Sequence, residues 1–186
     1  MAPEGWGKAV GFIECQSVAR ATLVADGCLK TAPVALSART TCPGKYLIIL
    51  SGGISAVQSA VDYALRQAPA CVVDSLVLGN IDPGVLPALA GTVQPREQGA
   101  LGVVETFSIA AAVRAADVAA KAAGVEIVDL RAAQGLGGKG LVYFTGEVGA
   151  VQSAVEAVAA ALAGEALLVD AVVIAAPHPE LWAQIF

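Results

Sequence analysis

Apolar and polar positions change period several times along the chain, and each change marks an element. Residues 9–15, AVGFIEC, form an apolar run of strand length and predict a buried strand. Ser17 stands where a helix N-cap belongs, so a helix is expected over 18–31, stopped by Pro33. Residues 34–40, VALSART, alternate, which predicts a strand with one wet face. Cys42, Pro43 and Gly44 turn the chain, and KYLIILSG returns as a strand over 45–52. In residues 54–68, Ile54, Val57, Val61 and Leu65 recur at helical spacing and predict a stripe facing the core. CVVDSLVL, residues 71–78, reads as the last strand of a β-α-β-β-α-β series.

The series then recurs. AVGFIECQS (9–17) aligns with ALGVVETFS (100–108), and Asp26 and Lys30 align with Asp117 and Lys121. GKYLIILSGGISAVQSAV (44–61) aligns with GKGLVYFTGEVGAVQSAV (138–155), in which AVQSAV is identical. VVDSLVLGNIDP (72–83) aligns with LVDAVVIAAPHP (168–179). Matches of this length in one order mean a tandem duplication. The linker is LAGTVQPREQG (89–99), and domains are expected over 8–93 and 100–186. Gly124 ends the first helix of the second half, as Pro33 does in the first. Each copy is thus an α/β (α+β) unit of ferredoxin-like order, one sheet with both helices on one face. Many unrelated functions use that topology, so chemistry has to be argued from sites.

Charge and composition narrow the field. A formal net charge of -5 and a pI near 4.8, with no basic cluster, argue against a nucleic-acid partner. Hydrophobic residues make up 56% and charged residues only 15%, more apolar character than one small core needs, which points to oligomer interfaces. A membrane span is not expected. The richest stretch, 153–176, is broken by Glu156, Glu165 and Asp170, and reads as a helix followed by a buried strand. No basic region followed by an apolar run opens the chain, so no signal peptide is expected. The four cysteines, 15, 28, 42 and 71, then read as free cytosolic thiols. None forms a CxxC pair.

Candidate chemistry centres on Cys42 at the hairpin tip. Cys15, Cys28 and Cys71 fall in or beside elements and read as small core residues. Glu14 and Glu105 recur beside a helix start in both halves, which favours structural hydrogen bonding over acid–base work. Lys30 and Lys121 end matched helices, where a cation suits the helix dipole. His178, the single histidine, lies past the last strand, away in sequence from the Cys42 tip, so a Cys–His catalytic pair is disfavoured. GLGGKG lacks the spacing of a phosphate loop.

Two copies of G-x-x-E-x-x-S, D-x-x-x-K, G-K and AVQSAV resemble the bacterial microcompartment (BMC) shell domain over about residues 8–184. The tandem form resembles shell proteins that trimerise into pseudohexamers. The CPGK loop and VVDSLVLGNIDPGVLPAL look most like the propanediol-utilisation type. That resemblance implies a non-enzymatic, homotrimeric tile in a microcompartment shell in the cytoplasm, with other shell proteins beside it. It also implies one iron–sulfur cluster per trimer, of [4Fe–4S] type, on the threefold axis and held by Cys42. Electrons would cross the shell there, toward a redox enzyme inside. Pro43, Gly44 and Lys45 would alternate round the pore with Gly135, Leu136, Gly137 and Gly138. Lys45 would place its charge beside the thiolate. Lys30, Lys121 and His178 would stand at the tile edge. The second half has QGLGGK in place of CPGK, so three cysteines are expected at the axis. Two other readings stay open: a tile with a metal-free pore for small metabolites, and a soluble ferredoxin-like enzyme with Cys42 as nucleophile.

Overall fold

The structure, a computed structural model, describes residues 9–95 and 99–186. Residue 8, the expected start of the first domain, and residues 96–98 of the expected linker lie outside the described residues. The first repeat runs β1 (Ala9–Cys15), α1 (Val18–Thr31), β2 (Ala35–Cys42), β3 (Lys45–Gly52), α2 (Ile54–Gln67), β4 (Val72–Leu78) and a short α3 (Val85–Leu89). The second runs β5 (Ala100–Thr106), α4 (Ile109–Ala122), β6 (Glu126–Ala132), β7 (Gly140–Gly146), α5 (Val148–Leu162), β8 (Leu168–Ile174) and α6 (Pro179–Ile185). The sheets have the matching orders β2-β3-β1-β4 and β6-β7-β5-β8. This is the ferredoxin-like order predicted from sequence.

The chain divides into two compact units that do not coincide with the repeats. The first takes the described residues up to Ile81, with Ser108–Ala110 and Ala132–Lys139. The second takes Asp82–Phe107, Ala111–Arg131 and Gly140–Phe186.

In the first unit, alternation along β1 turns Ala9, Ile13 and Cys15 toward the helices. There they pack with Ala21, Val24 and Cys28 of α1 and with Val57, Ala60, Val61 and Ala64 of α2. Gly11 shares that face because α2 comes too close for a side chain. A β-carbon there would lie 2.8 Å from a Val61 methyl and 2.9 Å from one of Val57. The stripe expected on α2 is only half right. Val57 and Val61 are buried, but Ile54 and Leu65 are 51% and 39% exposed. Alanines 60 and 64 occupy the inner face instead, since only small residues fit so close to the sheet. Ser17 caps α1 as expected, its hydroxyl accepting from Arg20 N–H at 3.3 Å.

In the second unit, α5 packs on β5, β7 and β8. The outer face of the sheet is covered by α6, which the sequence did not announce. Trp182 packs with Leu101 and Tyr143. The Phe186 ring stands edge-on to Tyr143 at 5.4 Å, and Arg131 lies over Tyr143 while donating to the Ile185 carbonyl at 2.7 Å. Strand β8, read from sequence as buried, is an edge strand with Val172 43% exposed. Among the described residues no helix is long and apolar enough to cross a membrane.

Candidate functional site at the hairpin tips

Strands β2 and β3 pair antiparallel to the tip, where Cys42 stands opposite Lys45 after a register shift between Thr40 and Cys42. Pro43 and Gly44 are the two turn residues. Gly44 has φ 81°, which with proline before it makes a type II turn. Cys42 is half-buried, and its Sγ lies 3.9 Å from the Pro43 carbonyl oxygen in a weak hydrogen bond. Its neighbour Thr41 is turned inward, with a buried hydroxyl that has no partner among the described residues. A β-carbon on Gly44 would meet nothing within 4 Å, so the tip is uncrowded.

The matching tip of the second repeat, Ala132–Lys139, belongs to the first unit. Gly135, Gly137 and Gly138 all have positive φ, at 71°, 62° and 95°, and so does Ala133 at 64°. An alanine in that region costs about 1 kcal/mol. The loop offsets this with backbone bonds, Ala133 N–H to the Lys139 carbonyl at 3.0 Å and Leu136 N–H to the Ala133 carbonyl at 3.1 Å.

Lys45 ties these segments to a buried carboxylate. Glu14 is fully buried. Its Oε1 takes the Lys45 ammonium, and its Oε2 takes the Ile109 N–H at 2.8 Å, at the first residue of α4. A carboxylate there also suits the positive end of the helix. The same ammonium donates to the Gly138 carbonyl at 2.9 Å. The charge expected beside the Cys42 thiolate is therefore engaged elsewhere, because a buried carboxylate demands a counter-charge. Glu14 has the structural role its recurrence implied. What the sequence reading missed is the partnership. The available signal was that both members recur, as Glu14 with Lys45 and as Glu105 with Lys139.

The other cysteines lie in the core. Burial first, then the neighbouring Cys71 thiol, pushes Cys15 up to about 12. Cys28 is pushed up to about 11 by burial, and its thiol donates to the Ala60 carbonyl at 3.3 Å. Among the described residues of one chain, no three His, Cys, Asp or Glu side chains gather as a metal site. The single chain thus offers one accessible thiol, at Cys42.

Lys30 is exposed and pairs with Asp26 at 2.6 Å, a hydrogen bond that raises its pKa. Lys121 pairs with Asp117 at 2.6 Å, and that nearly buried carboxylate also accepts from Asp82 N–H at 2.8 Å. His178 caps α6, its Nδ1 accepting from Glu180 N–H at 3.2 Å. In the second unit a cleft of about 1270 Å³ lies among loop backbone beside Asp82, Glu126, Glu147 and Thr145. None of the candidate site residues expected from sequence lines it.

Comparison with known proteins supplies a context for these tips. The BMC domain family matches twice, at residues 9–81 and 100–177. The chain is 40% identical over 178 residues to the bacterial microcompartment shell protein PduT of Citrobacter freundii, covering 95% of this chain and 97% of that one. A crystal structure of a microcompartments protein from Desulfitobacterium hafniense is 41% identical with a TM-score of 0.83, over 94% of this chain and 98% of that one. A fused, permuted hexameric shell protein of the RMM microcompartment is 28% identical with a TM-score of 0.64, over 83% and 81%.

Proposed function

Because this chain belongs to the family of BMC-domain shell proteins, we propose that three copies close round an axis through their Cys42 tips and hold an iron–sulfur cluster there. The protein is a structural component of a microcompartment shell, not an enzyme. Three copies of two domains make a six-domain tile, and a closed threefold ring brings one loop from each copy to a single point. Three Cys42 thiolates would then ligate three irons of a cubane, leaving the fourth without a protein thiolate. Such a cluster supplies one-electron chemistry when bound, which in a shell tile serves electron transfer between its two sides. Pro43 stiffens the ligand-bearing turn, and Gly44 lets backbone come near the sulfurs. The glycine tip of the second repeat leaves room beside it. Lys30, Lys121 and His178 fit the role of edge contacts with neighbouring tiles.

The observation that carries the reading is accessibility. Of the four cysteines, Cys42 alone is not buried, and it is the one on a tip. Anaerobic purification followed by iron and sulfide analysis tests it. Parent protein should hold about four irons per three chains, or about three if the exposed iron is lost. Cys42→Ser should abolish the colour and leave the trimer folded. Iron retained in Cys42→Ser would put the cluster elsewhere. A trimer that stays colourless and iron-free after reconstitution would make the tile a metal-free metabolite pore.

A further inference from the structure

We propose that Lys45 is a positioning residue: clamped between the buried Glu14 carboxylate and the Gly138 carbonyl, it fixes the strand position opposite Cys42 and so aims the thiol. The consequence for a cluster rests on the function proposed above. The clamp itself rests on geometry in one compact unit.

Lys45 is the cross-strand partner of Cys42 across a two-residue turn, so displacement of one is felt by the other. Cys42 has little hydrogen-bonding hold of its own, since among the described residues its sulfur makes a single weak bond, at 3.9 Å to the Pro43 carbonyl. Lys45, by contrast, is held at both ends. Its backbone belongs to β3. Its ammonium reaches Glu14, which cannot follow a movement because Ile109 N–H holds the other carboxylate oxygen at 2.8 Å. Gly138 completes the clamp by being glycine. A β-carbon there would lie 2.7 Å from Lys45 Cε and 2.8 Å from Nζ, at a backbone φ of 95°. The lysine stem therefore lies where any other residue would place its side chain. Bonding to both Glu14 and Gly138 fastens the cysteine hairpin to the glycine tip, so the two loops move as one body.

The test uses full-length, metal-free protein carrying a nitroxide label on Cys42, the accessible thiol. Lys45→Gln and Gly138→Ala should each give a severalfold shortening of the label's rotational correlation time. Arg39→Gln, an exposed change on the same hairpin, should leave it unchanged. A clamp that only stabilised the fold would lower the melting temperature without freeing the label, and that result overturns the proposal. Gly138→Ala leaves every charge in place and is read if Lys45→Gln does not assemble. If neither variant folds, the contact holds the fold rather than aims the thiol, and the proposal fails. Iron content, measured separately, should fall in both variants. A parent without iron would sink the cluster reading and leave the mobility result to decide the clamp.

Discussion

Gly27 and Tyr63 meet so closely that a β-carbon on the glycine would lie 2.2 Å from the phenol oxygen and 2.3 Å from the ring. At the matching positions of the second repeat stand Val118 and Ala157. Bulk has passed from one helix of the pair to the other, while the pairing of a larger with a smaller residue is kept.

Gly27→Val should therefore destabilise the protein by roughly 1–3 kcal/mol through overpacking. Adding Tyr63→Ala, which imports the second repeat's pair, should recover most of the loss. Urea denaturation at fixed protomer concentration measures both. A double variant no better than the sum of its single changes would mean that the two sites are not coupled.

Glu14→Ala leaves the Lys45 ammonium and the Ile109 N–H without their shared acceptor. The cost should be about 3–5 kcal/mol, the range for breaking a buried pair by removing one partner. Glu14→Gln keeps an oxygen for one donor and should cost less. The order of the two midpoints is the check, and equal midpoints would deny the carboxylate its double task.

The buried thiols set a pH window. Folding raises Cys15 from the ordinary 9.0 to about 12, chiefly by burial. Cys28 rises from 9.0 to about 11 for the same reason. With folded values above unfolded ones, their contribution is intact below pH 9.0 and is lost as pH rises toward 11 and 12. Stability should fall through that window more steeply in the parent than in a Cys15→Ala, Cys28→Ala variant. At pH near 8, iodoacetamide should modify Cys42 well before the buried thiols, and peptide mass mapping reads that order directly.

Lys30 and Lys121 serve as a contrast. Each is satisfied within its own helix by an aspartate four residues earlier. The exposed Lys30 pair contributes little to stability, whereas Lys121 pairs with a buried aspartate. Lys30→Ala with Lys121→Ala should leave the light-scattering mass unchanged yet slow the growth of two-dimensional sheets seen by electron microscopy. Sheets indistinguishable from the parent's would leave both lysines as solvated charges.

Strands and long helices were legible because duplication writes each signal twice. A weak helix start at Ser17 gains weight from its echo at Ser108. Burial within an element was less legible. Periodicity selected Ile54 and Leu65, but helix–sheet distance selected Ala60 and Ala64. The short helices α3 and α6 carry too few turns to show a period. At the tip, the sequence placed Cys42 on the turn but assigned the charge of Lys45 to the thiol. Adjacency along the chain suggested the nearby thiol, whereas a carboxylate thirty-one positions away, stripped of water, holds the ammonium.

The exchange of segments between repeats has a further consequence. The first unit is completed by Ser108–Ala110 and Ala132–Lys139, which the second repeat encodes. A gene split at the linker would yield one fragment short of its closing pieces and another carrying pieces it cannot use. The two copies are therefore interdependent in the fold, and fission at the linker would part segments that now pack together.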